Sequence, residues 1–419
     1  MLLSKKEKAI LVGCQIDDND RRFYYSMDEL ASLTETAQGV VIGQVTQKRE
    51  KIHTATYVGK GKLEEIVRME DELQPNLIIF NDELTPSQLR NLASVLQGRV
   101  LDRTQLILDI FAQRARSKEG QLQVELAQLQ YLLPRLAGIG TELSRLGGGI
   151  GTRGPGETKL ESDRRHIRRK IDEIKNQLKV VVEHRERYRS RRKRNNAFQI
   201  ALVGYTNAGK STLFNKLSTA DSYEEDQLFA TLDPLTRKLV FPSRYTALLT
   251  DTVGFIQDLP TTLIASFRST LEEVREADLL LHIVDASNPD YDNHEETVQN
   301  LLHELGMQTL PQLTVYNKMD KVHPHFIPNS RAGTEKIEIS ALHEHDIEKL
   351  IQKIEDIAIS LMEPYNVLIP QNQGKLLSTL KEETILQTLV YEEADKAYKC
   401  TGYVLGDHPV TGSLKQYQL

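Results

Sequence analysis

Along residues 1 to about 112, short unbroken apolar runs alternate with stretches of helical spacing. Ala9-Ile-Leu-Val-Gly13, Gly39-Val-Val-Ile-Gly43, Leu77-Ile-Ile-Phe80 and Val100-Leu101 read as buried strands. The region Tyr24 to Ala37, Lys62 to Leu73 and Pro86 to Leu96 read as helices. This alternation predicts a small parallel sheet covered by helices. Val58-Gly59-Lys60-Gly61-Lys62 precedes the second helix and fits two readings, an anion nest or a tight loop that starts a helix.

The period then changes. From about Gln105 to Ala137 the pattern predicts one long helix, with Leu122, Leu126, Leu129, Leu133 and Leu136 on one stripe and a kink at Pro134. A second long helix is predicted from about Thr158 to Arg192, striped by Ile167, Ile171, Ile174, Leu178 and Val181. Two apolar stripes joined by one loop make an antiparallel helical hairpin. The loop carries six glycines between Gly147 and Gly156. Gly149-x-Gly151-x-x-Gly154 matches a dinucleotide-binding spacing, but that fingerprint follows a strand, and here a helix precedes it. A glycine-rich tip flanked by Arg145, Arg153 and Lys159 suits close approach to a phosphate backbone, or a flexible hinge.

Phe198 to Val203 is a strand that runs into Gly204-Tyr-Thr-Asn-Ala-Gly-Lys-Ser-Thr212 and then a helix, the pattern of a phosphate-binding loop. Gly204 and Gly209 let the amides of Tyr205, Thr206, Asn207 and Ala208 wrap phosphate oxygens, Lys210 adds a point charge, and Ser211 can ligate Mg²⁺. Downstream, Phe229-Ala230-Thr231 lies on a polar stretch where a threonine can close over Mg²⁺ when a γ-phosphate is present, with Thr219 and Thr236 as competitors. Thr246 to Thr250 is a strand ending in Asp251-Thr252-Val253-Gly254, whose carboxylate can hold Mg²⁺ and whose Gly254 amide can sense the γ-phosphate. After strands at Leu279 to Val284 and Leu313 to Tyr316 comes Asn317-Lys318-Met319-Asp320. The Asp320 carboxylate can accept from both the ring N–H and the amine of guanine, a pair adenine does not offer. Ser340-Ala341-Leu342 follows a last strand and offers an amide to the guanine oxygen. Each piece alone reads as an ordinary turn; in this order, each at a strand end, they point to GTP as substrate and GDP as product. Lys210, Thr231, Gly254 and Asn207 are the candidate catalytic residues, and Ser211, Thr231 and Asp251 the candidate metal ligands.

Charge changes the picture in one segment. The chain is net −6, yet residues 164–194 carry 14 cations against four acidic residues, a balance of +10. So local a reversal favours a nucleic-acid or acidic-surface partner, and sparse aromatics there favour phosphate and shape recognition over base stacking. Arg164, Arg165, Arg168 and Arg169 join Arg145, Arg153 and Lys159 as candidate RNA contacts. Two well-separated cysteines, Cys14 and Cys400, argue against a disulfide framework or a zinc site and for a reducing cytoplasm. No apolar run reaches the length of a membrane span, and the N-terminus lacks a signal-peptide core. At 419 residues several domains are expected.

The motifs, together with Thr152-Arg-Gly-Pro-Gly-Glu-Thr-Lys-Leu-Glu161 and Tyr57-Val-Gly-Lys-Gly-Lys62, make residues 1 to about 360 resemble the HflX family of translation-associated GTPases. The resemblance implies an α/β fold class: a Ras-like P-loop GTPase domain (196–362) preceded by a small parallel α/β domain (1–112) and a helical hairpin (113–195). The strand signals and the helix around Leu380 add a small α+β domain (363–419). It also implies binding to the large ribosomal subunit and its rRNA in the GTP state, a part in splitting stalled or idle ribosomes, and a ribosomal RNA contact at the glycine-rich tip. The free chain is expected to be a monomer. Phe255 stands where Ras-like enzymes place the glutamine that orients water, so intrinsic hydrolysis is expected to be slow. In similar GTPases an asparagine at the place of Asn207 holds K⁺ in the role of an arginine finger. The rival readings are a GTPase switch on a protein or acidic membrane, with peripheral membrane association through the basic helix, and a GTP-coupled RNA modification enzyme, for which no motif speaks.

Overall fold

The structure, a computed structural model, describes residues 6–16, 19–136, 155–194, 197–218, 229, 231, 234–256, 274–322, 326, 328 and 335–419. Two compact units divide the chain: residues 1–181 with 227–232 and 257–268, and residues 182–226 with 233–256 and 269–419.

The first unit opens with β1 (Lys8–Gln15), α1 (Asp20–Thr36), β2 (Val40–Lys48), α2 (Lys60–Leu73), β3 (Leu77–Phe80), α3 (Pro86–Ala93) and β4 (Arg99–Asp102). The strands form the expected parallel sheet in the order β2-β1-β3-β4. Because both faces of a parallel sheet are covered, β1 and β3 read as continuous apolar runs rather than alternating ones. The helix starts are chemically marked: Asn19 accepts from Arg22 N–H, and Thr85 and Gln88 form a capping box before Pro86.

One expectation fails here. The long helix read from Gln105 to Ala137 is two, α4 (Arg103–Arg114) and α5 (Lys118–Arg135). Ala115 turns to extended backbone, and the Ser117 hydroxyl accepts from Gly120 N–H, starting a new helix. A serine cap outweighs an apolar stripe that continues past it. The second long helix, α6 (Pro155–Arg194), exists as expected. Leu122 and Leu126 of α5 bury against Ile171 and Ile174 of α6, with Leu129, Leu133, Ile167 and Leu178 at the margins, and Lys170 pairs with Glu125. The stripes are therefore a helix–helix seam.

The second unit contains β5 (Gln199–Gly204), α7 (Lys210–Leu217), β6 (Leu235–Val240), β7 (Thr246–Asp251), β8 (Leu279–Asp285), α8 (Tyr291–Glu304), β9 (Gln312–Asn317), β10 (Glu335–Glu338) and α9 (Glu344–Ser360). Its six-stranded sheet runs β10-β9-β8-β5-β7-β6, parallel except for β6, which pairs antiparallel with β7 at one edge. A core of Ile200, Leu202, Leu213, Leu281, Leu313 and Leu350 lies between sheet and helices. The chain ends in β11 (Glu363–Pro370), α10 (Gly374–Glu383), β12 (Ile385–Glu392), β13 (Ala397–Val404) and α11 (Val410–Leu414), a three-stranded antiparallel sheet in the order β11-β13-β12. Ile385, Tyr403 and Leu405 pack on the core of the six-stranded sheet. Among the described residues no helix is long and apolar enough to cross a membrane.

Candidate functional site

In an open parallel sheet the loops that leave the carboxyl ends of the strands border a crevice. Those of β5, β7 and β9 carry the three groups of residues singled out in the sequence.

β5 ends at Gly204, where a side chain is impossible: a Cβ there would lie 2.3 Å from the Ile283 carbonyl oxygen of β8. The following loop bends through Asn207 at φ +59° and Gly209 at φ +92°. A Cβ on Gly209 would lie 2.3 Å from Asn317 Nδ2. α7 then starts at Lys210 with no side-chain cap on its first turn, so amide donors and the positive end of the helix dipole are presented together. Lys210 Nζ donates to the carbonyls of Gly204 at 3.0 Å and Tyr205 at 2.7 Å. Burial pulls its pKa down to about 8, opposed by the Asp251 carboxylate and assisted by Lys318. Ala208 and Thr206 are buried, and the Thr206 hydroxyl is a buried polar atom with no hydrogen-bond partner among the described residues.

Asp251, at the end of β7, is buried and accepts from Ser211 Oγ at 3.1 Å. Two hard oxygen donors on adjoining loop ends are the chemistry a Mg²⁺ ion takes, so the donor set fits that metal. The residues after Asp251 divide. Thr252 Oγ1 donates to the Leu202 carbonyl at 2.6 Å, so that hydroxyl ties β7 to β5. Val253 and Phe255 are buried apolar side chains. Gly254 lies over the loop of β5: a Cβ there would come 2.9 Å from Thr206 Cγ2 and 3.1 Å from Lys210 Nζ. Phe255 N–H donates to the Gly204 carbonyl at 3.1 Å, and Thr206 N–H to the Phe255 carbonyl at 2.7 Å, a short parallel bridge between the two loops.

Asn317 is the strut of the third loop. Its Nδ2 donates to the Ala208 carbonyl at 3.0 Å, and its Oδ1 accepts from Ala341 N–H at 3.0 Å. The phosphate-type loop and the Ser340–Ala341 loop thus hang on one buried amide. Lys318, at φ +64°, pairs with Asp285 at 2.7 Å. Asp320 is exposed and accepts from Ser340 Oγ at 2.6 Å, and that hydrogen bond chiefly holds its carboxyl below the usual range. Leu342 is 66% exposed beside it, its N–H donating to Ser340 Oγ at 3.3 Å. An ionised acceptor beside an exposed apolar surface can take the edge and face of a purine. Thr212 is half-buried on α7.

The other sequence-chosen residues belong to other segments. Phe229 and Thr231 belong to the segment grouped with the first unit, where the buried Phe229 ring meets Phe111 of α4 edge-on at 4.6 Å. Ala230, Arg145 and Arg153 lie outside the described residues, as does the side chain of Lys159. Arg165, Arg168 and Arg169 are exposed on α6, and Arg164 is half-buried. Sequence reasoning missed Asp285, whose ion pair holds Lys318; the sole trace is a carboxylate at the end of an apolar run.

Comparison with known proteins finds similar chains and family models. Family models match over residues 24–112 (GTP-binding GTPase N-terminal), 114–192 (GTP-binding GTPase middle region) and 199–318 (50S ribosome-binding GTPase). A GTPase HflX of Alkalihalophilus pseudofirmus is 56% identical over 98% of this chain and 96% of its own. The GTPase HflX of Escherichia coli is 40% identical over 89% of this chain and 88% of its own. A GTP-binding protein of Sulfolobus solfataricus in complex with GDP is 24% identical, covers 84% of this chain and 99% of its own, and superposes with a TM-score of 0.44.

Proposed function

Because the chain belongs to the HflX family of GTPases, we propose that in its GTP state it binds the large ribosomal subunit and splits stalled or idle ribosomes, hydrolysis timing its release. The observation that supports this most is the contrast between a chain of net −6 and a 40-residue helix α6 whose exposed Arg165, Arg168 and Arg169 belong to a segment of +10. Cations spaced along one helix neutralise phosphates in series, and the glycines among residues 147–156 carry no side chain to keep RNA away. The GTPase-region family model, described as ribosome-binding, points the same way.

The chain's own residues then divide the work of turning GTP into GDP and phosphate. The amides from Tyr205 to Thr212 and the Lys210 ammonium hold the phosphates; Asp320 selects guanine, and Asn317 locks the two loops in register. Ser211 and Asp251 would hold Mg²⁺, which supplies charge neutralisation at the phosphates. The Gly254 amide senses the γ-phosphate. Phe255, buried and apolar, orients no water, so the intrinsic rate is slow and the ribosome accelerates it. Asn207, exposed at φ +59°, takes K⁺ in this reading. The protein acts as a cytoplasmic monomer when free.

Co-sedimentation with purified large subunits and with anionic liposomes, each with GDP and a non-hydrolysable GTP analogue, tests the reading. Pelleting with subunits that depends on the analogue and weakens as salt rises is expected. Pelleting with liposomes alone would instead favour a switch on an acidic membrane.

A further inference from the structure

The start of α8 lies beneath the loops of the candidate site, yet it contributes to none of the sequence motifs. Its His294 is 4% exposed and stacks face to face on Tyr205, with ring centroids 3.7 Å apart and planes 3° from parallel. Burial pulls the imidazole down to about 4, against the pull of the Asp285 carboxylate, so the ring is neutral at physiological pH. Both rings are almost fully buried, so a parallel neighbour at this distance leaves the Tyr205 ring little room to tilt.

What Tyr205 carries matters more than the ring. Its carbonyl accepts from Lys210 Nζ at 2.7 Å. The peptides on either side of it make the bridge to Phe255, through Gly204 O and Thr206 N–H. Gly254, one residue before Phe255, faces the same group: a Cβ on it would meet Thr206 and Lys210 Nζ. Fixing the plane of Tyr205 therefore fixes Lys210 and the Gly254–Phe255 turn together. The same helix reaches the base-side loop: Glu295 accepts from the Tyr316 hydroxyl at 3.2 Å, and Tyr316 is followed by Asn317 at the end of β9.

We propose that His294 is a positioning residue for GTP hydrolysis, acting through its stack on Tyr205 to hold the phosphate loop against the Gly254–Phe255 turn. The proposal rests on the phosphate-loop reading of residues 204–212. It matters more in this chain than in a GTPase with a water-orienting glutamine. With Phe255 in that place, the setting of the Gly254 amide and Lys210 is what the turn has to offer.

The test compares the full-length protein with His294→Ala, His294→Leu and His294→Phe in steady-state GTP hydrolysis, GDP binding and thermal unfolding. Phe keeps a flat ring, Leu keeps the volume without one, and Ala keeps neither. Ala and Leu are expected to lower kcat roughly fivefold to tenfold, with KM and GDP affinity within about twofold of the parent, and Phe to restore kcat. The proposal is overturned if kcat is the same in all variants, if Phe is no better than Leu, or if the loss follows thermal stability or GDP affinity instead. Should the Ala variant fail to fold, the Leu and Phe pair decides. Lys210→Ala, run in parallel, separates the two levels: if it leaves GTP binding unchanged, the phosphate-loop reading itself has failed.

Discussion

Gly209→Ala would strike the candidate site at its tightest point. The backbone there has φ +92°, which costs an L side chain about 1–2 kcal/mol, and a Cβ would lie 2.3 Å from Asn317 Nδ2. Asn317 has to move, and moving it breaks its 3.0 Å hydrogen bond to the Ala208 carbonyl and strains its 3.0 Å bond from Ala341 N–H. Leaving a buried carbonyl without its donor costs about 1–3 kcal/mol. The two effects sum to roughly 2–5 kcal/mol, and at about 1.4 kcal/mol per tenfold the GDP dissociation constant should rise at least 30-fold if the free loop relaxes. If the loop stays strained in the free protein, part of the loss appears as a lower melting temperature, so titration with a fluorescent GDP analogue is paired with thermal unfolding. Gly61→Ala, where a Cβ meets nothing within 4 Å, is the control. A Gly209→Ala protein that bound GDP within threefold of the parent and melted at the same temperature would refute the strut.

Lys210 makes nucleotide binding pH-dependent with a definite sign. Its pKa of about 8 lies below the ordinary value for lysine, so in the free protein it loses its proton as pH rises through 8; phosphates in the complex keep it charged. GDP affinity should be flat below pH 7 and fall by up to about tenfold per unit above 8, with proton uptake seen by calorimetry in buffers of different ionisation enthalpy. Affinity independent of pH from 7 to 9.5 would contradict it. Asp320→Asn should lose about 10²-fold or more in GDP affinity while gaining for xanthine nucleotides, since the amide turns one acceptor into a donor; unchanged base preference would remove Asp320 from recognition. Replacing K⁺ by Na⁺ should slow hydrolysis in the parent and not in Asn207→Ala, and equal rates in both ions would dismiss the K⁺ site.

The order of motifs was legible because each is a short polar loop after an apolar strand, and a parallel sheet gathers such ends at one edge. Gly204, Gly209, Lys210, Asp251 and Asn317 announced themselves by residue type, since backbone approach, a buried cation and a buried amide leave few alternatives. The break between α4 and α5 did not: Ala115-Arg-Ser117 has no glycine or proline, and the apolar stripe runs on across it. β6 was also hidden, because Leu235, Thr236, Lys238 and Val240 are exposed on an edge strand and leave no alternation to read. The stack of His294 on Tyr205 joins residues far apart in sequence. Nothing local to either ring signals the other.

If the proposed function holds, the GTP state drives ribosomal subunits apart. Light scattering of whole ribosomes mixed with this protein reports splitting directly. The expected result is a fall in scattering with GTP and with a non-hydrolysable analogue, none with GDP, and a much slower fall when Arg165, Arg168 and Arg169 are changed to glutamine. Scattering that stays constant with the analogue while the protein remains bound to the ribosomes would contradict it.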